Sequence, residues 1–313
     1  MVSRDRTADQ TEKDRVALGS LAIGIVMAVV KLVGGLLTGS LGLLSEAAHS
    51  GLDALASLIT AVSVRVSARP PDADHPYGHG RFENLSATIQ SLLLFGTGGA
   101  IIHESVRRLA DAGSQLRPSP WAFVIIGASI VVDVWRSRAL SRAALKYDSR
   151  ALEADALNFR ADFFSSGVVL IGLALTSYGE TAGAPSWFLK ADAAAALVVA
   201  LIIIVMAGKL AVRAVNVLTD HASGELATRM TRAAAAVPGV LTARPVRMRE
   251  SGQKVFADIV VGTTRGLSFA QAHEITEQVE TAINEVDPRA EVLVHIEPTA
   301  ALGETAAEAI RAV

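Results

Sequence analysis

Long apolar runs constrain this chain more than any other feature. Up to about residue 218 they recur at lengths that suit a bilayer hydrocarbon core, which takes roughly 20 residues of helix to cross. Beyond that point the charged residues become denser and the runs stop. One run, from Leu41 to Val66, contains His49 and Asp53. A carboxylate near a bilayer centre costs roughly 2.5–3.5 kcal/mol on insertion, so it faces a bundle interior and has a function there. Spacing of four sets His49 and Asp53 on one helix face, one turn apart. Asn158 and Asp162 repeat that spacing at the start of another apolar run. Packed side by side, the two helices bring four side chains to one intramembrane cavity. It offers one imidazole and three oxygen donors, two of them carboxylates able to neutralise a divalent cation.

The runs predict six membrane crossings, over about 16–38, 41–66, 82–107, 121–142, 150–178 and 191–218. The turn Thr38-Gly39-Ser40 makes the first two helices antiparallel neighbours. A polar loop rich in proline and glycine follows at 65–81. LRPSP separates helices three and four, and residues Ser177 to Lys190 read as an interfacial loop. Residues 1–15 are polar and mixed in charge, which predicts a disordered cytoplasmic tail and no signal peptide. Arg4, Arg6, Lys13, Arg15, Arg65, Arg69, Arg81, Arg136, Arg138, Arg142, Lys146 and Arg150 fall on one side of the six spans. The other side has Arg107, Arg108, Arg117 and Lys190. By the positive-inside rule both termini are cytoplasmic, in a multi-pass inner (plasma) membrane protein.

From residue 220 the periodicity changes. A helix over 222–237, strands over 241–250 and 254–263 joined by Ser251-Gly252-Gln253, a helix over 268–286 and a strand over 290–297 predict a small α+β domain. The domains expected are therefore a tail at 1–15, a six-helix α-bundle at 16–219, a cytoplasmic α-β-β-α-β domain at 220–300 and a loose tail at 301–313. The chain has no cysteine, which excludes disulfides and thiolate metal sites, so any metal is held by His, Asp, Glu or Asn. A formal net charge of −2 gives no case for a nucleic-acid partner, and no nucleotide-binding loop or organic cofactor motif is present. Lys31, Asp133, Asp192 and Lys209 read as snorkelling or cross-helix pairing, with no ligand role.

His49-x-x-x-Asp53, the string Asp72-Ala-Asp-His75-Pro-Tyr-Gly-His79-Gly-Arg81 and the Asn158-x-x-x-Asp162 pair carry a family resemblance. The chain resembles the cation diffusion facilitators, six-helix metal–proton antiporters with a cytoplasmic metallochaperone-like domain. The resemblance covers nearly everything after the leader. It implies a homodimer with an intramembrane transport site at His49, Asp53, Asn158 and Asp162, and a loop site at Asp72, His75 and His79. It also implies a C-terminal metal-binding interface at Asp258, His273, His295 and Glu297, and an Arg81–Asp220 charge pair at the dimer hinge. Zinc-type members carry His where this chain has Asn158, and an amide oxygen in that place moves preference from zinc toward harder ions such as Mn, Fe, Co or Ni. Arg244 and Val260 stand at C-terminal positions often held by histidine.

The expected function is secondary transport, not enzymatic catalysis: a divalent transition metal leaves the cytoplasm in exchange for protons. The ion is substrate and possible regulator, with no other cofactor. A membrane-anchored metal sensor or assembly scaffold is the rival reading, and it gives no reason for paired ligands inside the membrane. The loop histidines fit either a second metal or a purely structural loop bent at Gly78 and Gly80.

Overall fold

The protein is seen here as a computed structural model, which describes residues 2–38, 41–110, 120–182, 187–221, 223–252 and 254–299. The chain divides into two compact units, Met1–Val215 and Asn216–Val313.

The first unit holds six long helices: α1 (Val2–Thr38), α2 (Leu41–Ser67), α3 (Phe82–Ala110), α4 (Pro120–Tyr147), α5 (Arg150–Ala182) and α6 (Trp187–Leu218). Asp9–Leu37, Ala47–Ser67, Phe82–Arg107 and Ala196–Leu218 are long and apolar enough to cross a membrane. Their large apolar residues are widely exposed, Leu36, Leu37, Val62 and Val205 among them, as lipid-facing surfaces require. α1 packs on α2 and α4 on α5. Ala17, Ala61, Val64, Leu140, Leu152 and Phe159 form the core where these four helices meet. α3 and α6 lie on another face of α5, with Ala87, Ala154 and Leu210 in one cluster and Leu94, Ala161 and Ile203 in a second. Small residues on α5 are what allow this approach from both sides.

Two expectations change here. The leader is not a disordered tail, because α1 is helical from Val2. Its polar residues have partners far along the chain. Gln10 Nε2 donates to the Val64 carbonyl at 3.1 Å, and Lys13, 5% exposed, lies 3.4 Å from Glu83. Lys146 Nζ donates to Glu12 at 2.8 Å. The interfacial loop at 177–190 is also shorter than expected, since α5 continues to Ala182 and α6 starts at Trp187. Helical hydrogen bonds satisfy the backbone there, which a loop near lipid would leave open. Residues 183–186, Gly39, Ser40, most of LRPSP, Gln253 and the loose tail expected at 301–313 lie outside the described residues.

In the second unit, α7 (Gly224–Ala235), β1 (Thr242–Ala243), β2 (Arg247–Ser251), β3 (Lys254–Thr263), α8 (Phe269–Val286) and β4 (Ala290–Pro298) build the expected α+β domain. The strand expected over 241–250 is broken in two at Pro245, which has no N–H to give to a ladder. β3 is central, antiparallel to β1 and β2 and parallel to β4. Val255, Ala257, Ile259 and Val261 alternate onto one face of β3 and pack with Met230, Ile275, Val279 and Ile283 of the two helices. Phe256, Asp258 and Val260 take the opposite face. Ser268 and Gln271 close the start of α8 with a reciprocal capping box.

Candidate functional site

Helical spacing in α2 and α5 does what the sequence pattern requires of it. His49 Nε2 lies 3.4 Å from Asp162 Oδ1 and 3.8 Å from Asp53 Oδ2, and the ligand atoms of these three residues all fall within 4.8 Å of one another. Asn158 joins them by donating its Nδ2 to Asp53 Oδ1 at 3.3 Å. The side chains of Asp53 and Asp162 are 16% and 9% exposed, whereas that of His49 is 44% exposed. Asp162 Oδ2 is buried and has no hydrogen-bond partner. A buried carboxylate oxygen left in that condition is costly.

His49, Asp53 and Asp162 open on a cavity of about 20 Å³, room for about one water-sized sphere. Its other walls carry charges outside the expected ligand set: Lys31 from α1 and Asp133 and Arg136 from α4. Lys31, 7% exposed, donates to Ser50 Oγ at 2.9 Å. The available signal for the α4 pair was its spacing of three, which puts Asp133 and Arg136 on one helix face.

Arg136 anchors a buried polar network one helical turn away from Asp53 and Asn158. Its Nη2 donates to the Ser20 carbonyl at 2.8 Å, to Ser20 Oγ at 3.1 Å and to Ser57 Oγ at 3.2 Å. The same two hydroxyls donate to Asp155, at 3.4 Å from Ser20 and 3.1 Å from Ser57. The guanidinium carbon lies 3.5 Å from the centre of the Phe159 ring. Gly24 makes room for it: a Cβ there would sit 3.1 Å from Arg136 Nη2. Ser57 follows Asp53 by one turn of α2 and Asp155 precedes Asn158 by one turn of α5, so the network ties α1, α2, α4 and α5 together directly beside the cation-sized cavity.

The loop forms a second cluster. Asp72 Oδ1 accepts from the backbone N–H of Asp74 at 3.1 Å and of His75 at 2.7 Å, and Gly78 bends the chain at φ +82°. Asp72 faces His75 Nδ1 and His79 Nε2, each at 3.3 Å. The His75 N–H, then the neighbouring imidazoles, hold the Asp72 carboxyl below the usual carboxylate range. His79 is 5% exposed, stacks on Phe82 and keeps an unpartnered buried Nδ1.

The C-terminal residues are more dispersed. His295 Nε2 lies 3.7 Å from Glu297, which also pairs with Arg244, while Asp258 faces Arg247 and His273 faces Glu277. Among the described residues of one chain, no three of Asp258, His273, His295 and Glu297 have ligand atoms within 4.8 Å of one another. Asp220, at φ +58°, follows the end of α6 and belongs to the second unit, whereas Arg81 belongs to the first.

Known proteins align with both units. The cation efflux transmembrane domain matches residues 17–219, and the cytoplasmic domain of cation efflux proteins matches residues 222–299. The chain is 31% identical over 287 residues to the cation-efflux pump FieF of Yersinia enterocolitica, covering 91% of this chain and 92% of that protein. It is 32% identical over 285 residues to FieF of Yersinia pestis, covering 90% and 91%. A solved MamM-CTD fragment is 34% identical, covering 24% of this chain and 96% of that one, with a TM-score of 0.23. A match across both the helical unit and the α+β unit makes this chain a membrane protein of the cation efflux (cation diffusion facilitator) family, whose members are transporters and not enzymes.

Proposed function

We propose that the protein exports a divalent transition-metal cation, zinc or a harder first-row ion, from the cytoplasm across the inner membrane in exchange for protons. The observation that carries this reading is the convergence of His49, Asp53 and Asp162, with Asn158 beside them, around a one-ion cavity. Two carboxylates there match a doubly charged ion, and four protein donors fit a dry, four-coordinate passage through the site. Protons return through the same groups once the ion has left, because ligand groups bind metal only as they give up protons. The Asp72, His75 and His79 cluster is a second, loop-borne metal site in this reading. Asp258, His273, His295 and Glu297 are a regulatory set at an interface between two copies of the chain, and the match to a dimer-type cytoplasmic domain supports a homodimer. Both termini are cytoplasmic in this reading.

The test is uptake of zinc, cadmium, manganese, iron, cobalt or nickel into proteoliposomes under an imposed proton gradient. Wild-type protein moves at least one of these ions while protons move in the opposite direction, and Asp53→Ala moves none. Flux that persists in Asp53→Ala, or that ignores the proton gradient, refutes the proposal.

A further inference from the structure

Four ligand groups do not account for all the charge around the cavity. Lys31 reaches it from α1 and Asp133 from α4, neither belonging to the ligand set, and Arg136 forms part of the same wall. Lys31 is 7% exposed and held by Ser50, the residue next to His49. Arg136 is balanced on its far side by Asp155 through the hydroxyls of Ser20 and Ser57. Three carboxylates, Asp53, Asp133 and Asp162, then face one cation, Lys31. Their formal charges leave −2, which a single divalent ion cancels. In a medium where unbalanced charge is expensive, that remainder decides which ionic charge the cavity accepts and how tightly.

We infer that Lys31 and Asp133 are an opposed pair of fixed charges that set the cation affinity of the site without ligating the ion. This rests on the transport reading above and adds to it two specificity-determining residues on helices that contribute no ligand. Lys31 weakens the hold on the ion enough for it to leave, and Asp133 offsets part of that weakening. Ion binding and ion release then respond oppositely to the two residues.

The signs distinguish this role from a merely structural one. Removing the positive charge with Lys31→Gln should lower KM for zinc about tenfold and slow turnover, because the ion is held by an uncompensated extra negative charge. Removing the negative charge with Asp133→Asn should raise KM about tenfold. Lys31→Gln combined with Asp133→Asn should return KM close to the wild-type value. Loss of packing has no such sign reversal: both single variants would fail in the same direction and the double would be worse than either.

The experiment is zinc flux in proteoliposomes at a fixed proton gradient, with zinc affinity measured in parallel by calorimetry on the full-length protein in detergent. Opposite KM shifts with recovery in the double variant support the inference. Shifts of the same sign, or a double variant worse than both singles, overturn it. Calorimetry separates this outcome from failure of the transport reading: zinc that binds wild type without crossing the bilayer sinks the exporter proposal, while the affinity shifts of the variants still decide the charge pair.

Discussion

Arg136 is a residue whose loss the structure makes expensive, and Arg136→Met tests why. Arg136 is 3% exposed, and its guanidinium donates to Ser20 and Ser57 and lies over Phe159. Methionine keeps most of the unbranched stem and loses the guanidinium, with its charge, its hydrogen bonds and its contact with the Phe159 ring. Asp155, fully buried, is left with two serine hydroxyls and no balancing cation. Removing one partner of a buried pair costs about 3–5 kcal/mol, because the other charge stays in low dielectric uncompensated. Removing both charges is a different perturbation: Arg136→Met with Asp155→Leu leaves nothing stranded and should cost about 1 kcal/mol or less. Unfolding in mixed micelles, followed by the fluorescence of Trp135 on the neighbouring position, measures both. A single-variant loss below about 1 kcal/mol refutes the account, as does a double variant as unstable as Arg136→Met alone.

Three further outcomes follow from the same geometry. Asn158→His replaces an amide with an imidazole in the ligand cluster and should raise the ratio of zinc to manganese flux; an unchanged ratio removes Asn158 from the site. Asp72→Ala removes the acceptor of two backbone N–H groups, so amide exchange at Asp74 and His75 in the full-length protein should accelerate at least severalfold, and unaltered exchange would show that the turn holds by other means. Asp287, whose carboxyl Arg289 holds below the ordinary range, stabilises the end of α8 above the ordinary carboxylate pKa and loses that contribution as pH falls through its own lower value. Protection over 283–292, taken as exchange relative to the rate of an unstructured peptide at each pH, should therefore fall on acidification in wild type, whereas Asp287→Asn should be poorly protected already at neutral pH; identical pH dependences of protection would contradict this.

The intramembrane pairs were legible because polar residues in an apolar run are rare and helical geometry is rigid: spacing of four in α2 and α5 sufficed to place His49, Asp53, Asn158 and Asp162 on facing surfaces. The loop cluster was legible for a related reason, since Asp72, His75 and His79 lie within one short bend. What escaped depended on partners far away in the chain. Lys13 reads as a solvated leader residue until Glu83, seventy positions on, is placed beside it. Arg136 reads as one more cytoplasmic positive charge until Ser20 and Ser57 close around it. Pro245 could have divided the first C-terminal strand from sequence alone, because the missing N–H is a local fact.

The division of labour among the helices follows from what each can supply. In the proposed exporter a divalent ion must be both coordinated and released, and coordination needs donors within bonding reach of one another, which His49 and Asp53 of α2 and Asp162 of α5 would supply. Release needs the site to remain only just attractive, and a ligand cannot supply that without also loosening the geometry that selects the ion. Charges on α1 and α4 can, because Coulomb energy falls slowly with distance while coordination does not. The hydroxyl-bridged Arg136–Asp155 network joins those helices into one block, so the two functions stay in register. If the block holds together while the site exchanges its ion, cross-linking α1 to α4 near Ser20 and Arg136 should leave flux intact. Cross-linking α3 to α5 through the Ala87–Ala154 contact should slow it, since that face lies outside the network. Equal inhibition by both cross-links would mean that the four helices move against one another during transport.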